Sequence, residues 1–166
     1  HVTEHSFPTR RSSDLGGAAA GVLGPLIEAG CASVCVANRT PAKAHHLVQR
    51  HAAWADAHGV GLVATGLADA GEAFDLVLNS SASSLTGAGV PVAPAVLKPG
   101  TLAIDLMYGA AAQPFLDWAA AHGATGRDGL GMLVCQGAIG FTLWTGLEAP
   151  AQVMRQALEA ENRPDP

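Results

Sequence analysis

Two kinds of apolar pattern alternate along the chain. Short runs rich in aliphatic and β-branched residues, Ser33–Ala37 (SVCVA), Gly61–Thr65, Asp75–Ser80 (DLVLNS) and Thr101–Met107 (TLAIDLM), read as buried strands. Between them lie longer stretches with apolar residues three and four apart. Ala18–Glu28 predicts a helix stopped by Gly30, a capping position that glycine fills without Cβ strain. Pro41–His58 predicts a second helix, with Thr40 as N-cap, Pro41 in the first turn and Gly59 at its end. Leu67–Ala73 reads as a short helix, Gln113–Ala121 as another, and Met132–Thr145 as a long apolar one. After Pro150 a final helix runs from Ala151 to Glu161. Its Val153, Met154, Ala157 and Leu158 share one face, which predicts a packed structural element and not a partner-binding segment. Strands alternating with helices over short links predict parallel strands joined by right-handed crossovers. The expected fold class is therefore α/β, a doubly wound parallel sheet, with no internal repeat.

The first fifteen residues stand apart from this pattern. His5–Leu15 reads HSFPTRRSSDL, the translation of a widely used sequencing adapter, residue for residue. Residues 1–15 are expected to be non-native for that reason, and such segments are set aside before fold reasoning. The native sequence is then expected to start at Gly16, within a motif, and the sheet to lack its first strand. The cofactor-binding domain is expected to span residues 16–160, followed by a tail over residues 161–166.

Composition narrows the class of function. At 166 residues the chain suits one domain, and 49% hydrophobic against 14% charged residues marks a packed globular one. A net charge of −5 argues against nucleic acid as the main partner, since no basic surface is available to displace counterions. No apolar run approaches the ~20 residues of a membrane span, so no membrane partner is expected. Cys31, Cys35 and Cys135 have neither CxxC spacing nor an even count, which predicts a reducing cytoplasmic setting. His45, His46, His51 and His58 fall on or near one helix but lack the i, i+4 spacing with a carboxylate of a zinc helix. They are read as solvated helix positions, and no metal is expected.

The chemistry begins at Gly16-Gly17-Ala18, which leads into a helix as a glycine-rich phosphate turn does. Two glycines before a helix are a weak signal, and Asp14 stands where the motif's first glycine belongs. A second signal lies about 20 residues on, where a dinucleotide fold that takes NAD carries an acidic residue for the ribose. Here the place is held by Asn38, followed by Arg39, Thr40 and, one turn later, Lys43. A carboxylate repels a 2′-phosphate, whereas arginine and lysine neutralise it. The expected cofactor is NADP; the plainer alternative is a solvated arginine at a strand end.

Four motifs in one order, NRTPAKA at Asn38–Ala44, DLVLNSSAS at Asp75–Ser83, PGTLAIDLMY at Pro99–Tyr108 and DGLGMLVCQGA at Asp128–Ala138, together resemble the shikimate dehydrogenase family. The resemblance implies reduction of 3-dehydroshikimate to shikimate with NADPH, in aromatic amino acid biosynthesis. It implies that Gly16, Gly17 and Ala18 belong to the phosphate loop, and that Asn38, Arg39, Thr40 and Lys43 meet the adenosine 2′-phosphate. Leu106, Gly129 and Met132 match positions near the nicotinamide, and Tyr108 and Gln136 match residues that contact shikimate or 3-dehydroshikimate. A phenol and an amide suit a polyhydroxylated carboxylate that needs neutral hydrogen bonds. For Tyr108 the alternative is a half-buried strand-end aromatic, and for Gln136 a helix-surface residue. The resemblance fails at Asn79-Ser80-Ser81-Ala82-Ser83-Ser84, where a serine replaces the family's usual glycine. The family's lysine–aspartate pair for proton transfer lies in a separate substrate domain, so no catalytic acid–base residue is expected in this chain. The rival readings are a quinate/shikimate dehydrogenase and a non-catalytic nucleotide-binding Rossmann module. The assembly is expected to be a monomer or a homodimer.

Overall fold

A computed structural model of the chain describes residues 17–81, 90 and 92–161. Residues 1–15, Gly16, residues 82–84 of the serine-rich loop and residues 162–166 of the tail lie outside these. The chain forms two compact units that meet in sequence at Thr65 and Gly66.

The first unit contains helix α1 (Gly17–Glu28), strand β1 (Ser33–Asn38), helix α2 (Pro41–Ala57) and strand β2 (Gly61–Gly66). Gly30 ends α1 with φ +74°, the left-handed value expected of a glycine cap. Strands β1 and β2 pair with each other. Leu23 and Ile27 of α1, Leu47 and Ala55 of α2, and Val60 form the core, against which Val34, Val36 and Leu62 pack from the strands. Gly24 faces α2, where a Cβ would lie 3.4 Å from the Trp54 ring. Thr40 holds the N-cap position with extended backbone, as predicted, but its hydroxyl caps nothing. The Lys43 N–H, which a capping hydroxyl would accept, donates instead to the Thr40 carbonyl, and an Asx turn, with Asn38 Oδ1 accepting the Thr40 N–H at 2.8 Å, makes the entry to α2.

The second unit contains strands β3 (Phe74–Asn79), β4 (Leu97–Asp105) and β5 (Thr125–Arg127), with helices α3 (Gln113–Ala121), α4 (Leu130–Thr145) and α5 (Ala151–Glu161). The sheet order is β3-β4-β5, parallel throughout. Strand β4 starts and ends earlier than the predicted Thr101–Met107. Phe74 pairs with Leu97 and Leu76 with Leu102, so β4 bulges between those pairs. The buried Thr101 hydroxyl closes the bulge, donating to the Phe74 carbonyl at 2.6 Å and accepting the Lys98 N–H at 2.9 Å. The short helix predicted over Leu67–Ala73 is one 3-10 turn, Leu67–Asp69. Gly71 and Ala73 both take positive φ and break the helical path. Strand β5 has no counterpart among the predicted strands. Three residues, TGR, carry no apolar period; Gly126 is in place because the Leu116 side chain comes within 3.0 Å of where a Cβ would stand.

The parallel α/β architecture is as expected, but the described strands make two sheets, not one. In the doubly wound order 3-2-1-4-5-6 the first strand joins the two halves. No strand joining the two sheets occurs among the described residues.

Candidate functional site

Each unit carries its own set of candidate residues. In the first unit they gather where β1 ends and α2 begins. Asn38 closes the strand; Arg39 and Thr40 are exposed; half-buried Lys43 lies in the first turn of α2, its N–H donating to the Thr40 carbonyl at 2.9 Å. None of Asn38–Lys43 is acidic. Two basic side chains, Arg39 and Lys43, flank the start of α2, where a helix carries its positive end. That donor set fits a dianionic phosphate. Gly17 opens α1 and Ala18 is exposed beside it, at the other helix N-terminus of this unit.

In the second unit the carboxyl ends of three strands are laced together by polar groups. Asp105, fully buried at the end of β4, accepts the Asn79 amide at 2.9 Å and the Met107 N–H at 2.8 Å. The Leu106 N–H donates to the Asn79 carbonyl at 2.9 Å, which carries β4's pairing with β3 one residue past the strand. Asn79 Oδ1 in turn accepts the Ser81 hydroxyl at 2.7 Å and its N–H at 3.1 Å. Asp128, after β5, accepts the Gly109 and Leu130 N–H groups, each at 3.3 Å. The start of α4 is thereby tied to the loop that follows Tyr108.

Gly129 is the tightest point. A Cβ there would lie 2.3 Å from the Leu106 carbonyl oxygen, and the Gly129 N–H donates to the Met107 carbonyl at 2.8 Å. Two predicted residues, Leu106 and Gly129, are thus in direct contact. Met132 is half-buried in the first turn of α4, and Gln136, exposed, follows one turn later on the same face. Tyr108 is 37% exposed in extended backbone just beyond β4. None of these residues lines the 450 Å³ pocket bounded by Leu116, Gly126, Arg127, Asp128, Gly131 and Arg155.

The remaining candidates of other kinds have local explanations. His51 and His58 each bond a carbonyl one turn back, of Leu47 at 3.0 Å and Trp54 at 2.9 Å. Burial on β1 pushes the Cys35 thiol up, away from the thiolate that metal binding or redox chemistry requires.

Comparison with known proteins decides the lineage. Residues 129–159 match the Shikimate 5'-dehydrogenase C-terminal domain. Over 145 residues the chain is 57% identical to a shikimate dehydrogenase (NADP(+)) of Methylibium petroleiphilum, covering 87% of this chain and 49% of that protein. Over most of its length the chain is similar to members of the shikimate dehydrogenase family. It spans about half the length of the curated relatives it matches. Among solved structures it is similar to a shikimate dehydrogenase in complex with NADP+, with TM-score 0.72 and 27% identity over 91% of this chain and 53% of that one. It is also similar to a ligand-free 5-ketofructose reductase of Gluconobacter sp. strain CHM43, with TM-score 0.70 and 32% identity over 88% and 53%.

Among these residues, Asp105 and Asp128 were not singled out by sequence reasoning, and Asn79 only as part of a motif. Asp105 offered one signal, a lone carboxylate inside the apolar run TLAIDLM. A charge at such a position is buried with partners or not at all.

Proposed function

We propose that this chain is the NADP-binding part of a shikimate dehydrogenase, which reduces 3-dehydroshikimate to shikimate with NADPH. The observation that carries the reading is the 57% identity to an NADP(+) shikimate dehydrogenase over 145 residues. Residues 16–160 are taken as the cofactor-binding domain, and residues 1–15 as non-native because they reproduce the adapter translation.

NADPH supplies the hydride when bound. Arg39 and Lys43 hold its 2′-phosphate as charged donors, with Asn38 and Thr40 shaping the turn. The N–H groups at Gly16, Gly17 and Ala18 cradle the pyrophosphate at the head of α1. Leu106, Gly129 and Met132 line the nicotinamide end, where the missing side chain of Gly129 allows close approach. Tyr108 and Gln136 orient the substrate through neutral hydrogen bonds. No lysine–aspartate pair of the family type is assigned in this chain, and the proton is moved by the part of the protein that relatives have beyond the matched half. A quinate/shikimate dehydrogenase that prefers NAD is disfavoured, since an acidic group would be expected in place of Asn38. A cytoplasmic setting suits the three free thiols.

Turnover tests this reading. The 166-residue chain alone is expected to form no measurable NADPH from shikimate and NADP, because general acid–base groups alone typically contribute ~10²–10⁴-fold and substrate positioning is lost with them. Joined behind the unmatched half of the Methylibium petroleiphilum relative, with its glycine loop repaired, it is expected to turn over. Tyr108→Phe should then damage turnover more than cofactor affinity. Shikimate-dependent NADPH formation by the unjoined chain would refute the assignment of roles.

A further inference from the structure

Leu106, Met107 and Tyr108 lie between the end of β4 and a 3-10 turn at Gly109–Ala111. Two of them are assigned above to ligands, Leu106 to the nicotinamide end and Tyr108 to the substrate. The segment is in neither helix nor strand, yet its backbone is held step by step. The Leu106 N–H donates to the Asn79 carbonyl at 2.9 Å, and the Met107 carbonyl accepts the Gly129 N–H at 2.8 Å. Two carboxylates hold the rest. Asp105 Oδ1 accepts the Met107 N–H at 2.8 Å, and Asp128 accepts the Gly109 N–H at 3.3 Å. Asp128 is half-buried and its bond is long; Asp105 is fully buried and its bond is short.

The second oxygen of Asp105 turns the other way, to β3. Oδ2 accepts the Asn79 amide at 2.9 Å, and Asn79 Oδ1 accepts the Ser81 hydroxyl and N–H. One buried side chain therefore joins the end of β3 to the segment that follows β4. Pairing of the two strands does not account for a carboxylate here. Their ladder already runs from Phe74 to Asn79, and replacing a buried charge by an apolar group is often neutral or stabilising. The bond to the Met107 N–H reaches past the ladder, to the backbone that carries Leu106 and Tyr108.

We propose that Asp105 is a positioning residue for hydride transfer: held by Asn79 on one oxygen, it fixes with the other the backbone that aims Leu106 at the cofactor and Tyr108 at the substrate. The inference rests on the function proposed above. Asp105 is 0% exposed, so it acts through its two neighbours in sequence and not by touching either ligand. A shift of Met107 moves both neighbours at once, so cofactor and substrate lose their alignment together. Misplacement of reacting groups by about 1 Å costs on the order of 10²-fold in rate. Binding of the 2′-phosphate, assigned to Arg39 and Lys43, does not depend on this segment.

A donor–acceptor exchange tests the proposal in the joined protein described above. Asp105→Asn keeps the size of the side chain but sets amide against amide. Whichever way the two amides turn, one bond to Asn79, Ser81 or Met107 fails. The double variant Asn79→Asp with Asp105→Asn reverses donor and acceptor across that one contact and keeps the bonds to Ser81 and Met107. Turnover is counted per NADPH-binding site, by titration, so misfolded protein does not register. The single variant is expected to lose about ten- to a hundredfold in kcat with NADPH affinity unchanged, and the double variant to recover most of that loss. A single variant with full kcat per site overturns the proposal, and so does a double variant as slow as the single one. Hydrogen exchange at Met107 and Gly109 in the 166-residue chain is the second readout. It should quicken at least about tenfold in the single variant and return in the double one; unchanged exchange overturns the proposal whether or not the joined protein turns over. An unsubstituted joined protein that binds NADPH without turnover would instead sink the function proposed above, and exchange then decides whether Asp105 holds the segment.

Discussion

The two units build their sites from opposite materials. The first is a small apolar core of Leu23, Ile27, Leu47, Ala55 and Val60 whose candidate residues lie outside it, exposed Arg39 and half-buried Lys43. The second wires the ends of its strands with polar groups, Asp105 to Asn79 and Met107, and Asp128 to Gly109 and Leu130. In the first, side-chain charge can change with little effect on the fold. In the second, the groups that shape the site also hold the strands in register, so the two cannot be altered separately.

A glycine in each unit exposes this contrast most sharply. Gly129→Ala in the second unit forces a Cβ to 2.3 Å from backbone, the Leu106 carbonyl. Overpacking against an immobile neighbour costs roughly 1–3 kcal/mol or more, and the urea midpoint should fall accordingly. Gly24→Ala in the first unit meets only the Trp54 ring at 3.4 Å. There a helix-propensity gain of about 1 kcal/mol offsets the shift of the ring, and the midpoint should hardly move. Equal losses at the two positions would erase the distinction.

The polar wiring comes next in size. Asp105→Ala leaves the Asn79 amide and the Met107 N–H without the carboxylate that both bond. An unsatisfied buried group costs about 1–3 kcal/mol, and hydrogen exchange should quicken across β3 and β4 while β1 and β2 keep their rates. Exchange rising in all four strands would mean that Asp105 supports more than its own sheet. Smallest is Ser81→Ala, which removes an exposed hydroxyl bond to Asn79 and should cost at most about 1 kcal/mol in the same melt.

The same contrast governs what could be read in the sequence. Arg39 and Lys43 could be proposed from the sequence because the reading depends only on charge type at a fixed distance from the phosphate turn. The helices Gly17–Glu28, Pro41–Ala57 and Ala151–Glu161 were legible to within a residue through apolar spacing and glycine stops. The role of Asp105 was not, because its partners come from residues 79 and 107 and only the folded sheet brings them together. Strand β5 escaped because three residues have no period, and the bulge in β4 because its cause is the Thr101 hydroxyl reaching Phe74. The Thr40 cap failed for a local reason, as the Lys43 N–H donates to the Thr40 carbonyl and not to its hydroxyl.

Recognition of a 2′-phosphate by Arg39 and Lys43 is the role proposed for the first unit. It is tested most directly by calorimetry of NADPH and NADH on the joined full-length protein and its Arg39→Ala variant. Charge-assisted contacts are worth ~1.5–3 kcal/mol each, so Arg39→Ala should weaken NADPH binding at least about tenfold and leave NADH nearly unchanged. Equal losses for the two cofactors, or no loss for NADPH, would contradict the account.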